Sequence, residues 1–448
     1  MNIAQFQILL QESIDNATTT LDYLFLAKAV QALGMGQIRK VSTYSSLPSA
    51  STNKGLLVFV TADQRLYSST GTDWQSIVSL TKGITYSWGS ACCGLLGDGT
   101  TVSKSSPVSV IGGFTDWRQI SAGCFHSLGL RTNGTVWAWG FGCNVLGDGS
   151  TIVTCKSSPV SVIGGFTDWC QVSAGGNHSL GVRTNGTAWA WGSNAQGQLG
   201  TGTVGTPACA SPVSVIGGFT DWCQVSAAGS THSLGVRTNG TAWAWGSNCC
   251  GRLGDGTTVA KSSPVSVIGG FTDWCQISAS AGGYHSLGVR TNGTLWVWGS
   301  NSSGKLGDGT TVNKSSPVSV VGGFTDWCQV SAGNDHSLGV RINGTAWSWG
   351  TNKNGQLGDG TTVDKSSPVS IVGGFTNWCQ VSAGGNHSLG VRTNGTLWSW
   401  GFNNAGQLGD GTTVCKSSPV SVIGGVTDWC QVSTGSGCGV SAIRGSSF

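Results

Sequence analysis

The chain has 448 residues, of which 73 are Gly, 21 Trp and 16 Cys; only 9% are charged and the net charge is +4. Few charges with many aromatics are the reverse of a disordered chain, Gly with neither a three-residue period nor much Pro excludes collagen, and so small a positive excess makes no basic surface for nucleic acid. No apolar run reaches the ~18 residues of a membrane span, and MNIAQFQILLQESIDN lacks the basic-then-apolar order of a secretory signal.

In chain order, the first 82 residues differ from the rest. Ile3, Phe6, Leu9, Leu10 and Ile14 have the spacing of a short amphipathic helix; Asn16 to Thr20 interrupts it, and Leu21 to Leu33 reads as a second, apolar helix. Helices so short are not stable alone. Residues 1–38 are therefore expected to bury against another copy of the chain or a larger particle. Residues 39–82 read as a small β connector, with runs at Gly55–Val60 and Leu66–Ser68, a turn at Ala62-Asp63-Gln64, and Gly71–Trp74 after it.

From residue 83 the sequence repeats. Trp/Tyr-x-Trp-Gly recurs at Trp88, Trp139, Trp191, Trp245, Trp298, Trp349 and Trp400, 51 to 54 residues apart. Asp/Asn-Trp recurs at Trp117, Trp169, Trp222, Trp274, Trp327, Trp378 and Trp429, so every Trp except Trp74 is a repeat position. One unit shows four β-rich runs, Cys170–Ser173, His178–Val182, Thr187–Trp191 and Pro212–Ile216, and Asn185-Gly186 predicts a type I′ hairpin. Four antiparallel strands per unit, seven times over, predict an all-β, seven-bladed propeller over 83–448. The chain ends in the lead-in of a unit (DWCQVSTGSGCGVSAI) whose Trp-Gly strand is Ile84–Gly89. The C-terminal segment is thus expected to complete the first blade and close the ring, which removes exposed strand edges.

All six His share one repeat position: His126, His178, His232, His285, His336 and His387, with Cys438 as the seventh. Neighbouring copies should lie too far apart for ~2 Å metal bonds, so a hydrogen bond within each blade is the expected role, and no metal or cofactor is expected. The Asp of Leu-Gly-Asp-Gly (Asp98, Asp148, Asp255, Asp308, Asp359, Asp410) supplies one carboxylate per loop, short of a Ca²⁺ site; an Asx turn suffices. The Asn-Gly-Thr sequons coincide with the hairpin turns. No nucleophile and base, and no carboxylate pair, break the repeat, so no enzyme is expected.

Six Cys follow the Asp/Asn-Trp marker and are expected as buried repeat thiols: Cys170, Cys223, Cys275, Cys328, Cys379 and Cys430. Ten are irregular, including Cys124. Disulfide staples are expected among Cys92, Cys93, Cys143, Cys155, Cys209, Cys249, Cys250, Cys415 and Cys438, in keeping with an oxidising setting. Loops on the His side vary between repeats where the Asn-Gly turns do not. Their odd residues, Phe125, Phe141, Arg252, Tyr284, Lys305, Asp335, Lys353 and Phe402, are the candidate binding residues.

The unit VSAGGNHSLGVRTNGTAWAWGSNAQGQLG (172–200) resembles the regulator of chromosome condensation repeat family, over about 83–443. That resemblance implies a seven-bladed propeller; the family's nuclear exchange-factor activity does not follow from fold alone, and no basic tail or long insertion is present here. Residues 45–74 (SSLPSASTNKGLLVFVTADQRLYSSTGTDW) resemble modules of tailed-bacteriophage virion proteins, which join an oligomerising piece to an adhesive domain. Together they imply a non-enzymatic tail-fibre, spike or decoration subunit, on a virion surface or extracellular. Its partners would be itself through residues 1–38, other virion proteins and a host receptor or glycan, with no nucleic acid and no membrane insertion. The alternative is a cellular propeller scaffold or a guanine nucleotide exchange factor for a small GTPase.

Overall fold

The unit that starts at Trp169 shows why the repeat becomes a blade. Trp169–Ala174, His178–Arg183, Ala188–Gly192 and Cys209–Ser214 pair in that order as an antiparallel sheet. His178 to Val182 are buried throughout, because neighbouring blades cover the sheet on both sides. The protein is described here from a computed structural model. It describes residues 83–445, apart from 206–207, 230 and 438, together with strands Arg39–Val41, Leu57–Val60, Arg65–Ser69 and Trp74–Ser79.

The chain divides into two units, Met1–Thr81 and Lys82–Phe448. In the first, the four strands form one sheet in chain order, the first pair parallel and the others antiparallel. The second unit repeats the four-stranded blade seven times. One blade draws on both ends of the unit: Trp429–Thr434 pairs with Gly439–Gly445, which pairs antiparallel with Gly83–Gly89, followed by Lys104–Ser109.

Two parts of the expected fold class need correcting. No sheet among the described residues closes on itself: the blades are open sheets, two of them joined through Gly83 and Trp117, and the ring is held by side-chain and main-chain bonds between blades. The front module, expected as helical plus β, is all strand in its described residues, and the helices expected within 1–38 lie outside them. The hairpin turn also differs. Gly186 has φ +74°, but none of the Asn before these glycines has positive φ. Asn185 Oδ1 instead accepts from Thr187 N (3.1 Å) and Thr187 Oγ1 (2.7 Å). This Asx bond gives a three-residue loop closed by a left-handed glycine, not a I′ turn.

The tryptophans are the blade core. Trp169 stands edge-on to Trp191 (5.9 Å) and to Phe166 (5.7 Å), and Phe166 lies under Arg183, whose Nε donates to Asp168 (2.8 Å). The Trp-Gly strand is tied to the blade before it, since Trp191 Nε1 donates to Val145 O (2.8 Å) and Trp245 Nε1 to Gln198 O (2.9 Å). The glycine of the next Leu-Gly step lies on that indole. At Gly200, with φ +68°, a Cβ would come 2.9 Å from Trp245 Nε1.

Around the axis the first strands are clasped by Gln and Ser. Gln119 Nε2 donates to Val172 O (3.1 Å) while its Oε1 accepts from Val172 N (2.9 Å), and Gln171 does the same to Val225 (2.8 Å each way). Ser121 Oγ accepts from Ala174 N (2.9 Å). The bonds accepted by Gln Oε1 and Ser Oγ recur at all seven interfaces, the last from Ile120 N to Gln431 (2.8 Å) and from Ala122 N to Ser433 (2.9 Å), and the Gln Nε2 donation at four of them. They leave an axial cavity of about 130 Å³ lined by Ser and Ala of the first strands. Gln171→Ala strands both the N–H and the C=O of buried Val225, and should cost about 1–3 kcal/mol. Urea unfolding of the variant against the parent measures it; an unchanged midpoint would show that the clasp carries no stability.

Candidate functional site

Two sets of loops meet at one edge of every blade. His at the start of the second strand pairs with Gly at the end of the third, as in His285↔Gly299. The residue after that Gly donates its N–H to the residue before the His: Phe141 to Phe125 O (2.8 Å), Ser300 to Tyr284 O (2.9 Å), Thr351 to Asp335 O (2.8 Å) and Phe402 to Asn386 O (2.9 Å). The register thus brings the varied loops together blade by blade.

Below this edge the histidines are structural. In five of the six, Nε2 reaches the Ser of the next blade: His126 to Ser179 (2.7 Å), His178 to Ser233 (2.9 Å), His232 to Ser286 (3.1 Å), His285 to Ser337 (2.9 Å) and His336 to Ser388 (2.9 Å). The expectation of a bond within the blade is corrected: the bond crosses between blades. Ser179 spends its own proton on Val145 O (2.9 Å), and Ser233, Ser286, Ser337 and Ser388 likewise each donate to a main-chain carbonyl. His Nε2 must therefore be the donor and Nδ1 the bare nitrogen, and Nδ1 has no partner in any of the six. Burial holds His126, His178 and His387 down to about 3 and His336 to about 4. Burial, aided by Arg252 and Lys305 respectively, holds His232 and His285 well below the usual value. His387 faces Gly439 where the other blades have Ser, so this chain of bonds stops at the closing blade.

One stretch breaks the sevenfold pattern. The residue before Leu-Gly is Leu95, Val145, Gln198, Arg252, Lys305, Gln356 and Gln407 around the ring. Gln198, Gln356 and Gln407 accept from the main chain of their own loop (2.8–2.9 Å). Arg252 and Lys305, on adjacent blades, put cations in the same interior place, 4% and 1% exposed. Arg252 Nε donates to Cys249 O (2.9 Å), and its Nη1 to Thr231 Oγ1 (3.3 Å) and Gly283 O. Lys305 Nζ is ion-paired to Asp335 of the following blade. Tyr284, 46% exposed, lies between them, its ring centre 5.5 Å from Arg252 Cζ and 5.5 Å from Lys305 Nζ. Four of the sequence candidates thus form one cluster across three blades. Phe125 (49% exposed) and Phe141 form a second, edge-to-face at 6.4 Å. Lys353 is exposed and Phe402 half-buried on later blades. That the interior cations share one repeat position was missed, although aligning the seven Leu-Gly steps would have displayed it.

The cysteine expectations are also corrected. No disulfide is found among the described cysteines, and Cys438 lies outside them. The close sulfurs are Cys92 with Cys93 (3.9 Å), Cys93 with Cys155 of the next blade, and Cys249 with Cys250 (3.5 Å). Of the six repeat thiols, Cys170 and Cys328 are buried but Cys275 is exposed. Cys124 is buried at the axis, where its Sγ donates to Gly229 O (3.3 Å). No group of three or more His, Cys, Asp or Glu among the described residues is arranged to hold a metal ion.

The RCC1-like domain profile matches residues 31–321, and the regulator of chromosome condensation (RCC1) repeat matches 343–391 and 394–441. The chain belongs to the RCC1-like family. It is 30% identical to the ultraviolet-B receptor UVR8 of Arabidopsis thaliana over 352 residues, 77% of this chain and 78% of that protein. It is 28% identical to the mouse E3 ubiquitin-protein ligase HERC2 over 330 residues, 72% of this chain but 7% of that one. Among solved structures, human WBSCR16 superposes with TM-score 0.72 at 20% identity, covering 82% of this chain and all of the other. Yeast Prp20p superposes with TM-score 0.72 at 21% identity, covering 83% and 93%. At 20% and 21% identity, these two structures share the propeller fold with this chain.

These findings overturn the virion reading. The family profile starts at residue 31 and so spans the whole segment, 45–74, likened to phage modules, and the relatives are cellular eukaryotic proteins. The tail-fibre, spike or decoration role falls with it. So do the virion or extracellular location, assembly through residues 1–38 with virion proteins, and binding of a host receptor or glycan.

Two expectations follow. A group held below its free value adds stability above the free value, and that stability drains away as pH falls toward the folded value. Each buried His should therefore remove about 1.4 kcal/mol per pH unit below ~6.5, giving steep acid unfolding between ~6.5 and 4. Denaturant midpoints across that range test it, and a flat profile would contradict neutral burial. Second, Lys305→Gln installs the residue found in three other blades and should be mild. Asp335→Ala leaves a buried ammonium without its carboxylate and should lower the melting temperature more.

Proposed function

We propose that the chain is a cellular, non-enzymatic propeller scaffold that binds a partner protein through the varied edge of its blades, at Tyr284 with Asp335 and at Phe125 with Phe141. The observation that carries this is the break in symmetry. Sevenfold positions serve the ring itself, so residues that depart from the repeat and stay exposed at one edge are available for recognition. An exposed aromatic held between fixed cations loses little conformational entropy on binding, which suits an interface anchor. The relatives' whole-protein activities are not carried over, since fold alone does not transfer them.

The test compares partner recovery from cells with three variants. Phe125→Ala and Tyr284→Ala should each reduce recovery of the same partners at least tenfold. Thr291→Glu, at the Asn-Gly end of the Tyr284 blade, should not. Equal loss in all three, or none, would overturn the assignment of this edge. Nucleotide release from a panel of small GTPases should be unaffected by the chain; acceleration of one of them would replace the scaffold reading with that of an exchange factor.

A further inference from the structure

Three of the loops that follow a Trp-Gly strand begin with a single 3₁₀ turn: Cys92–Gly94, Cys249–Gly251 and Ser302–Gly304. In each, the second residue is left-handed, with φ +57° at Cys93, +66° at Cys250 and +63° at Ser303. The frame imposes this shape. The glycine that follows lies against a neighbouring blade, where a Cβ on Gly94, Gly251 or Gly304 would come 2.3–2.4 Å from the Cα of Ser157, Ser315 or Ser366. The same turn forms whether the tip is Cys-Cys or Ser-Ser, so paired thiols are an addition to the loop, not a requirement of it. At Cys249–Cys250 the sulfurs are 3.5 Å apart, Cys249 is exposed and Cys250 partly so.

The first pair has a third thiol, Cys155, beside Cys93, whereas the second has cations beside it. Arg252 lies two residues on, anchored to Cys249 O, and no carboxylate among the described residues forms an ion pair with it. Lys305 stands on the adjacent blade; burial and the Cys249 thiol push the Cys250 thiol up, and Arg252 and Lys305 oppose part of that rise. At Cys92–Cys93 the residue in the place of Arg252 is Leu95. Two sulfurs cannot complete the four-coordinate shell of zinc. They suit a soft ion that accepts two thiolates, and thiolate selects cuprous copper.

We propose that Cys249 and Cys250 bind one cuprous ion as a two-coordinate bis-thiolate, with Arg252 balancing its charge. Two S–H bonds break, two S–Cu bonds form and two protons leave; copper stays monovalent and nothing is oxidised. The product carries one negative charge beside the Arg252 guanidinium, while Lys305 is already paired with Asp335.

The experiment titrates the full-length, reduced chain with Cu(I) under anaerobic conditions, in competition with bicinchoninate. Cys249→Ser/Cys250→Ser, which copies the tip at Ser302–Ser303 and so should fold, is expected to lose the tightest equivalent. Cys92→Ser/Cys93→Ser and Cys415→Ser should keep it. Its affinity should rise about 100-fold per pH unit below the thiol pKa values, since two protons are released. Arg252→Gln should weaken it at least tenfold at an unchanged melting temperature. Retention of the tightest equivalent in Cys249→Ser/Cys250→Ser, or its equal loss in Cys92→Ser/Cys93→Ser, would overturn the proposal.

Discussion

The ring depends on how the first strand of each blade disposes of its free edge. A strand at the edge of a sheet presents unpaired N–H and C=O groups, and here seven such edges face one axis. A glutamine amide carries one donor and one acceptor in the spacing of a peptide group. Gln171, held on one blade, meets both the N–H and the C=O of Val225 on the next, as a further strand would. Ser173 takes the next N–H along, that of Ala227. The sheets therefore remain open while their edges are satisfied. The first and last parts of the propeller are bound by the same bonds, through Gln431 and Ser433, as any other pair of blades.

This explains what was legible in the sequence. Trp spacing gave the number and length of the repeats because an indole cannot be placed anywhere in a blade: Trp191 needs Trp169 on one side and Val145 O on the other. Asn-Gly marked the hairpins correctly but misled about the turn, because the Asn side chain, not its backbone, closes the loop at Asn185. Gln and Ser of the first strand were visible only as part of a marker. A polar residue in a strand reads as solvent-facing, and nothing local tells that its partner is a backbone some 53 residues away. The histidines were similarly misplaced by one blade. Pattern within a unit is legible from a chain, whereas partners across a repeat boundary are not.

Composition misled about biology for a related reason. Low charge and apolar N-terminal stretches say that a surface is to be covered; they carry no information on what covers it. The thiol count gave a disulfide expectation because irregular cysteines were judged by number. In the structure, the sevenfold frame sets them apart in groups: Cys124 at the axis, Cys415 exposed, and two adjacent pairs at loop tips, one of them with Cys155 beside it.

A repeat protein can acquire a specific site only where a side chain is not needed by the ring. The step before Leu-Gly is such a place. There the main-chain carbonyl does the structural work: Arg252 O accepts from both Trp298 Nε1 (2.9 Å) and Ser286 Oγ (2.8 Å) of the next blade. The side chain is left over, and Leu, Val, Gln, Arg and Lys all occupy it around the ring. Interior cations are costly unless something balances them. Lys305 has Asp335 for this, and Arg252 has only carbonyl and hydroxyl oxygens. Two such residues on adjacent blades, meeting one exposed tyrosine, cannot be explained by the needs of the frame. Whatever fixed them there acted on the edge where Tyr284 emerges.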